Sequence, residues 1–170
     1  RGVLMLGKTA AHIFWMFRYL ERCENTARLI NASHFISLTQ KQNIANHWDS
    51  ILNVAGNKKT FLLKYGEINK SAVINFILRD KTNPSSVLSS IENARKNARI
   101  VRNNLTKELF ETINETYLKL SEIFKRPINE KNLLNTLATI RTKCQLTRGT
   151  LHGTMLRDDT YIFARMGSFI

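Results

Sequence analysis

Between Arg18 and Arg28 the chain reads Arg18-Tyr19-Leu20-Glu21-Arg22-Cys23-Glu24-Asn25-Thr26-Ala27-Arg28, placing five charged side chains and Asn25 inside a strongly apolar segment. Ile13, Phe14, Trp15, Met16 and Phe17 precede it, and Leu29 and Ile30 follow. At about 100° per residue, the apolar side chains of such a helix leave little circumference for a solvated stripe. The charges must therefore face protein or ligand. Glu21 and Arg28 fall within about 20° of each other on the wheel, with Asn25 and Arg18 beside them, so side chains one and two turns apart can meet. A charge among apolar neighbours needs a partner, because an unpaired one costs several kcal/mol. Glu21 and Arg28 are thus expected to be mostly buried and ion-paired. Two readings of the cluster stay open, a structural ion-pair network and a functional site.

The remaining pattern is helical. Seven Gly and two Pro in 170 residues are few for a turn-rich β fold. The first helix is expected over about Thr9 to Leu38. A shorter one carries Trp48, Ile51, Leu52 and Ala55, spaced i, i+3, i+4, i+7, with Gly56 as its stop. Phe61 to Tyr65 reads as a turn or two. Val73, Ile74, Phe76, Ile77 and Leu78 mark a helix ending near Asp80. Asn83-Pro84 is a start signal, since Asn accepts free N–H groups and Pro suits the first helical position; that helix is expected to reach about Asn104. Thr106 caps the next, which holds helical period until Arg126-Pro127. Asn129 caps another running to Arg148-Gly149, and Asp158 or Asp159 caps the last segment. No alternation demands a strand. The predicted fold class is all-α, a bundle of about six or seven helices.

Charge and cysteines bound the function. Lys and Arg number 26 against 13 Asp and Glu, a net charge of +13. Such an excess points to an anionic partner, yet the basic residues are scattered, with no block of five and no zinc-finger, bZIP or phosphate-loop spacing. Nucleic acid is therefore a minor alternative. Cys23 and Cys144 give neither a disulfide framework nor metal-ligand spacing, and fit a reducing cytoplasm. The apolar run Ile13 to Phe17 is far short of the ~20 residues that span a bilayer, and no signal-peptide pattern is present. No cofactor or metal is expected.

Three further polar groupings stand out. Arg95, Arg99 and Arg102 recur at i, i+4, i+7 and form one guanidinium stripe, either a bidentate clamp for carboxylate or phosphate or a solvated basic face paired with Glu92. Asn83, Ser85 and Ser86 could present hydroxyls and helix N–H groups to an anion, or serve as a cap alone. Arg157-Asp158 is either a site pair or a cap with a salt bridge. His12, His34, His47 and His152 lack metal-helix spacing, and no Ser sits in a nucleophile elbow. If the chain catalyses anything, Glu21 or Glu24 beside Arg22 or Arg28 is the acid-base candidate.

The run RYLERCENTAR resembles the signature of the alpha-E domain, a bacterial helical family named for its Glu-Arg pair. Trp48, Gly56, Phe61 and Tyr65, the segment Asp80 to Ser86, the run Ala94 to Arg102 and Thr154-Met155-Leu156-Arg157-Asp158 are similar to later landmarks of that family, so the resemblance spans residues 5 to 170. Phe17 stands where the family tends to have Gly, and Phe110 where it tends to have Trp. By this resemblance Met5 is the expected start, with Arg1 to Leu4 an upstream remnant. The family carries a second Glu-Arg segment that Tyr161 to Ile170 approaches, so the expectation is an N-terminal part of a longer helical domain. The apolar stripe Leu156, Ile162, Phe163, Met166 and Phe169 would then seek a cover, and self-association is expected. Alpha-E domains are typically encoded with, or fused to, circularly permuted ATP-grasp proteins and transglutaminase-like proteins. The resemblance therefore implies an accessory that binds an anionic peptide or an ATP-grasp peptide ligase. An independent enzyme of unknown reaction and a basic nucleic-acid binder are the alternatives.

Overall fold

The computed structural model describes residues 7–39, 44–55 and 58–169. Among these residues the chain is all-α, with eight helices: α1 Gly7–Thr39, α2 Ile44–Ala55, α3 Lys58–Tyr65, α4 Lys70–Arg79, α5 Val87–Ile100, α6 Lys107–Ile123, α7 Glu130–Thr154 and α8 Asp159–Ser168. A 3₁₀ turn, Arg102–Asn104, joins α5 to α6. The eighth helix exceeds the expected six or seven because Lys58–Tyr65, about two turns long, counts as a helix of its own. The expectations for Arg1 to Leu4, Met5, Gly56 and Ile170 lie outside the described residues.

Helix α1 is the axis of the bundle. It packs chiefly against α5, α7 and α8. Its buried positions Ile13, Phe17, Leu20, Glu24 and Ala27 are spaced four and three residues apart, a seam that keeps one face toward its neighbours. Helix α7 answers with Leu133, Leu137, Ile140, Cys144, Thr147 and Leu151 at the same spacing. Its length is a correction: Gly149 does not end it. A glycine inside a helix costs only about 1 kcal/mol relative to alanine, which burial of Leu151, 1% exposed, offsets.

Helix α8 turns a small-residue face, Thr160, Ala164 and Gly167, toward α1. A methyl group added at Gly167 would run into the Phe14 carbonyl oxygen, so this position sets how closely the two helices approach. Of the larger apolar residues, Tyr161 and Phe163 pack partly buried against the core, so Phe163 departs from the expected exposed stripe, and the others point away. Ile162, Met166 and Phe169 are exposed, as is Leu156 in the preceding loop.

The caps expected at Thr106, Asn129 and Asp158 are present. Thr106 Oγ1 accepts from the Leu109 N–H, Asn129 and Asn132 form a reciprocal capping box, and Asp158 accepts from the Tyr161 N–H. The cap of α5 is instead Ser86, whose hydroxyl accepts from the Ser89 N–H. Asn83 lies a turn upstream, fully buried, where its side chain accepts from the Ser85 N–H and donates to the Phe76 carbonyl. Residues 81–86 therefore form a turn that ties α4 to α5.

That turn is pinned by Asp80. Its carboxylate accepts from Lys64 Nζ at 2.7 and 3.0 Å, from the Tyr65 hydroxyl at 2.6 Å and from both the backbone and the hydroxyl of Thr82. Burial pushes the Asp80 carboxyl up, but the combined hydrogen bonds from Lys64, Tyr65 and Thr82 outweigh it and hold the group well below the usual carboxylate range. Tyr65, partly buried and bonded to that charge, is pushed up to about 12.

Candidate functional site

The polar residues of α1 divide into two groups. The first centres on Glu24, which occupies a core position of the α1 seam and is 1% exposed. Arg28, one turn on, donates to Glu24 Oε1 through Nη2 at 2.6 Å and Nε at 3.2 Å. From α7, Arg148 forms an ion pair with Glu24 Oε2, and Gln145 Nε2 donates to Oε1 at 3.3 Å. Burial alone would push the Glu24 carboxyl up. The Arg28 hydrogen bond, the Arg148 charge and the Gln145 amide outweigh it, and the group stays below its ordinary value. Arg148 also reaches Glu21 Oε2 at 3.3 Å, and Asn25 donates to Glu21 Oε1 at 3.1 Å.

The expectation holds for Glu21, whose side chain is 18% exposed and ion-paired with Arg148, but only in part for Arg28, which is ion-paired yet 54% exposed. The more deeply buried carboxylate, at the centre of the cluster, is Glu24. Glu21 and Arg28 are closest in angle on the helical wheel, but the four-and-three spacing from Phe17 through Leu20 to Ala27 places position 24 in the core. Arg148 and Gln145 were missed altogether as members of the cluster. Nothing local marks them, because they reach α1 only when α7 packs on it.

Behind this network lie the two cysteines, both free and buried. Hydrogen bonding with Cys144, then burial, push the Cys23 thiol well above its usual value, so Cys23 is held as an unreactive thiol.

The second group faces outward. Arg18, Arg22, Asn25, Thr26 and Leu29 of α1, with Val54 and Ala55 of α2 and Ser85 before α5, line an open groove of about 490 Å³. Arg22 Nη1 donates to Ser85 Oγ at 3.3 Å. Among the described residues neither Arg18 nor Arg22 forms an ion pair with a carboxylate. Asn83 and Ser86 serve the turn and the cap beneath, and the Ser85 hydroxyl is the group that this segment presents to the groove. Two guanidiniums with a hydroxyl and an amide between them suit a carboxylate or phosphate. The groove brings together four of the sequence candidates, Arg18, Arg22, Asn25 and Ser85.

It does not gather the others. Arg95 donates to Asn114 Oδ1 at 2.7 Å and lies over the Tyr117 ring, while Arg102 lies over the Phe110 ring. The stripe thus faces α6, with Arg99 exposed beside it, and none of the three lines the groove. Arg157 is exposed in the α7–α8 turn, and Asp158 caps α8. Among the described residues, no group of three His, Cys, Asp or Glu is placed to hold a metal ion, and no helix is long and apolar enough to cross a membrane.

Comparison with curated proteins and with solved structures returns no match for this chain. The Alpha-E family, described as a predicted alpha-helical domain with a conserved ER motif, matches residues 5–170. Its span takes in both halves of the α1 cluster, the turn carrying Ser85 and the arginine of α7 that completes the network, and on that match the chain belongs to the Alpha-E family.

Proposed function

We propose that this domain is a binding accessory that holds an anionic peptide segment in the groove between α1, α2 and the turn before α5. The observation that carries this reading is that Arg18 and Arg22 line one groove without carboxylate partners among the described residues, while Arg28 of the same motif and Arg148 of α7 are neutralised by Glu24. Carboxylate side chains fit the forked guanidinium donors, and Ser85, Asn25 and Thr26 add neutral hydrogen-bonding groups around them. Val54 and Leu29 supply apolar wall for the intervening peptide. Glu24 favours binding over catalysis at this helix: a carboxylate held charged by two guanidiniums and an amide is a poor proton shuttle at neutral pH. By family resemblance, the peptide or its carrier belongs to a system containing a circularly permuted ATP-grasp ligase and a transglutaminase-like protein.

The test is a fluorescence-anisotropy titration of the chain with a labelled Glu-rich peptide, alongside a single-stranded oligonucleotide of similar charge. The peptide is expected to bind with an affinity that falls as salt rises, and the double variant Arg18→Ala/Arg22→Ala is expected to lose at least about tenfold. Equal binding by variant and wild type, or a preference for the oligonucleotide, would overturn the reading. Co-purification with an ATP-grasp protein that depends on the same two arginines would extend it to the partner.

A further inference from the structure

A second cavity, of about 250 Å³, lies where α4 meets the start of α7. Its wall is apolar: Ile74, Ile128 and Leu133 are 4%, 3% and 1% exposed. At its mouth Lys70 and Glu130 face one another, Nζ to Oε1 at 2.5 Å, with the Ser71 hydroxyl beside them. The two ends of the pair differ. The Glu130 side chain is 74% exposed and can swing into solvent, whereas Lys70 is 21% exposed and is held against the cavity. An ion pair with one end so exposed contributes little to holding helices together.

His34 of α1 is close enough for both charges to act on it, and it is buried with Nδ1 lacking a partner among the described residues. Burial, then the Lys70 charge, push its imidazole down, with Glu130 opposing. It therefore stays neutral at physiological pH and leaves Lys70 as the cation lining the cavity.

We infer that this cavity binds a free aliphatic α-amino acid, with the ligand carboxylate on Lys70, its ammonium group on Glu130 and its side chain against Ile74, Ile128 and Leu133. The geometry favours a zwitterion over a simple acid or amine. A ligand carrying both charges on one carbon can insert into an existing ion pair and leave every charge partnered, whereas a single-charge ligand strands one of the two side chains. The apolar wall then rewards an aliphatic side chain by removing it from water. A cavity below the roughly 300 Å³ at which drug-sized pockets begin suits a ligand of this size.

The experiment is a thermal-melting titration of the whole chain with L-leucine, glycine, 4-methylpentanoate and 3-methylbutylamine. Leucine is expected to raise the melting temperature in a saturable manner, glycine to have little effect, and the acid and the amine to bind about tenfold more weakly or worse. Lys70→Met is expected to abolish the leucine response. To make the test independent of how that variant folds, amide chemical shifts of Ile128 and Leu133 are followed in the unaltered protein, where leucine should move them. No melting shift and no amide perturbation, or acid binding equal to leucine, would overturn the inference. Arg18→Ala/Arg22→Ala should leave leucine binding intact, so this inference and the groove reading fail independently.

Discussion

Arg28 and Arg18 project from the same helix within the same motif, yet their surroundings are opposite. Arg28 donates twice to a buried glutamate that Arg148 also holds, whereas Arg18 borders an open groove and meets no carboxylate among the described residues. The difference follows from the position of Glu24. A carboxylate placed in the core seam must be neutralised, and it draws in one cation from its own helix and one from α7. Arg18 and Arg22 lie beyond that demand. One polar motif thus welds α1 to α7 with its acidic half and leaves two cations on the groove, where the proposed function places an external anion.

Removing Glu24 should separate the two halves of the motif most clearly. Glu24→Ala is expected to destabilise the fold by about 3 kcal/mol, because it leaves the cation of α7 facing an empty core position. Glu21→Ala, by contrast, should cost about 0.5 kcal/mol, since Glu21 is partly exposed and shares a cation that Glu24 already holds. Urea unfolding of both variants checks the contrast, and equal losses would break it.

The groove half should behave in the reverse manner. Arg18→Ala/Arg22→Ala is expected to leave the urea midpoint within about 0.5 kcal/mol of wild type while anionic-peptide affinity falls. A large loss of stability would move these residues into the structural group.

Acid should weaken the fold through its held carboxylates. Asp80 and Glu24 both have folded-state values below their unfolded ones, so their contribution is complete above about pH 4 to 4.5 and is lost as pH falls through the folded values. Asp80→Asn should therefore lower stability at pH 7 and flatten its decline below about pH 4. Equilibrium unfolding across that range tests the sign. An undiminished slope would assign the acid sensitivity to Glu24 and the remaining carboxylates.

The smallest expected effect is at the alkaline end. Because Tyr65 is raised to about 12, its contribution is present below its unfolded value near 10 and lost as pH climbs through about 12. A tyrosinate absorbance titration should show one late-titrating phenol that Asp80→Asn moves earlier.

Much of the architecture was legible because helix starts are local. Thr106, Asn129 and Asp158 each satisfy N–H groups within three residues of themselves, a decision made by neighbouring backbone and side chain alone. Asn83 shows where locality misleads. Its side chain can cap, but burial against the Phe76 carbonyl gives it a different partner, and Ser86 takes the cap. Gly149 shows the same override, since the contacts of Leu151 carry α7 past it. The candidate site was legible in part: Arg18, Arg22, Asn25 and Ser85 line one groove, but Arg95 of α5 and Arg102 of the following 3₁₀ turn lie over rings of α6.

The sequence by itself determined an all-α chain, its principal caps, and a polar cluster that the apolar wheel of α1 could not leave in solvent. It also contained the four-and-three spacing that places Glu24 in the core. Only the tertiary structure decided which cation meets which anion, because Arg148 and Gln145 lie more than 120 residues along the chain from Glu24 and reach it through the packing of α7 on α1. Helix periodicity fixes which side chains share a face. The rotation and crossing of two helices fix which faces meet, and those depend on the whole core.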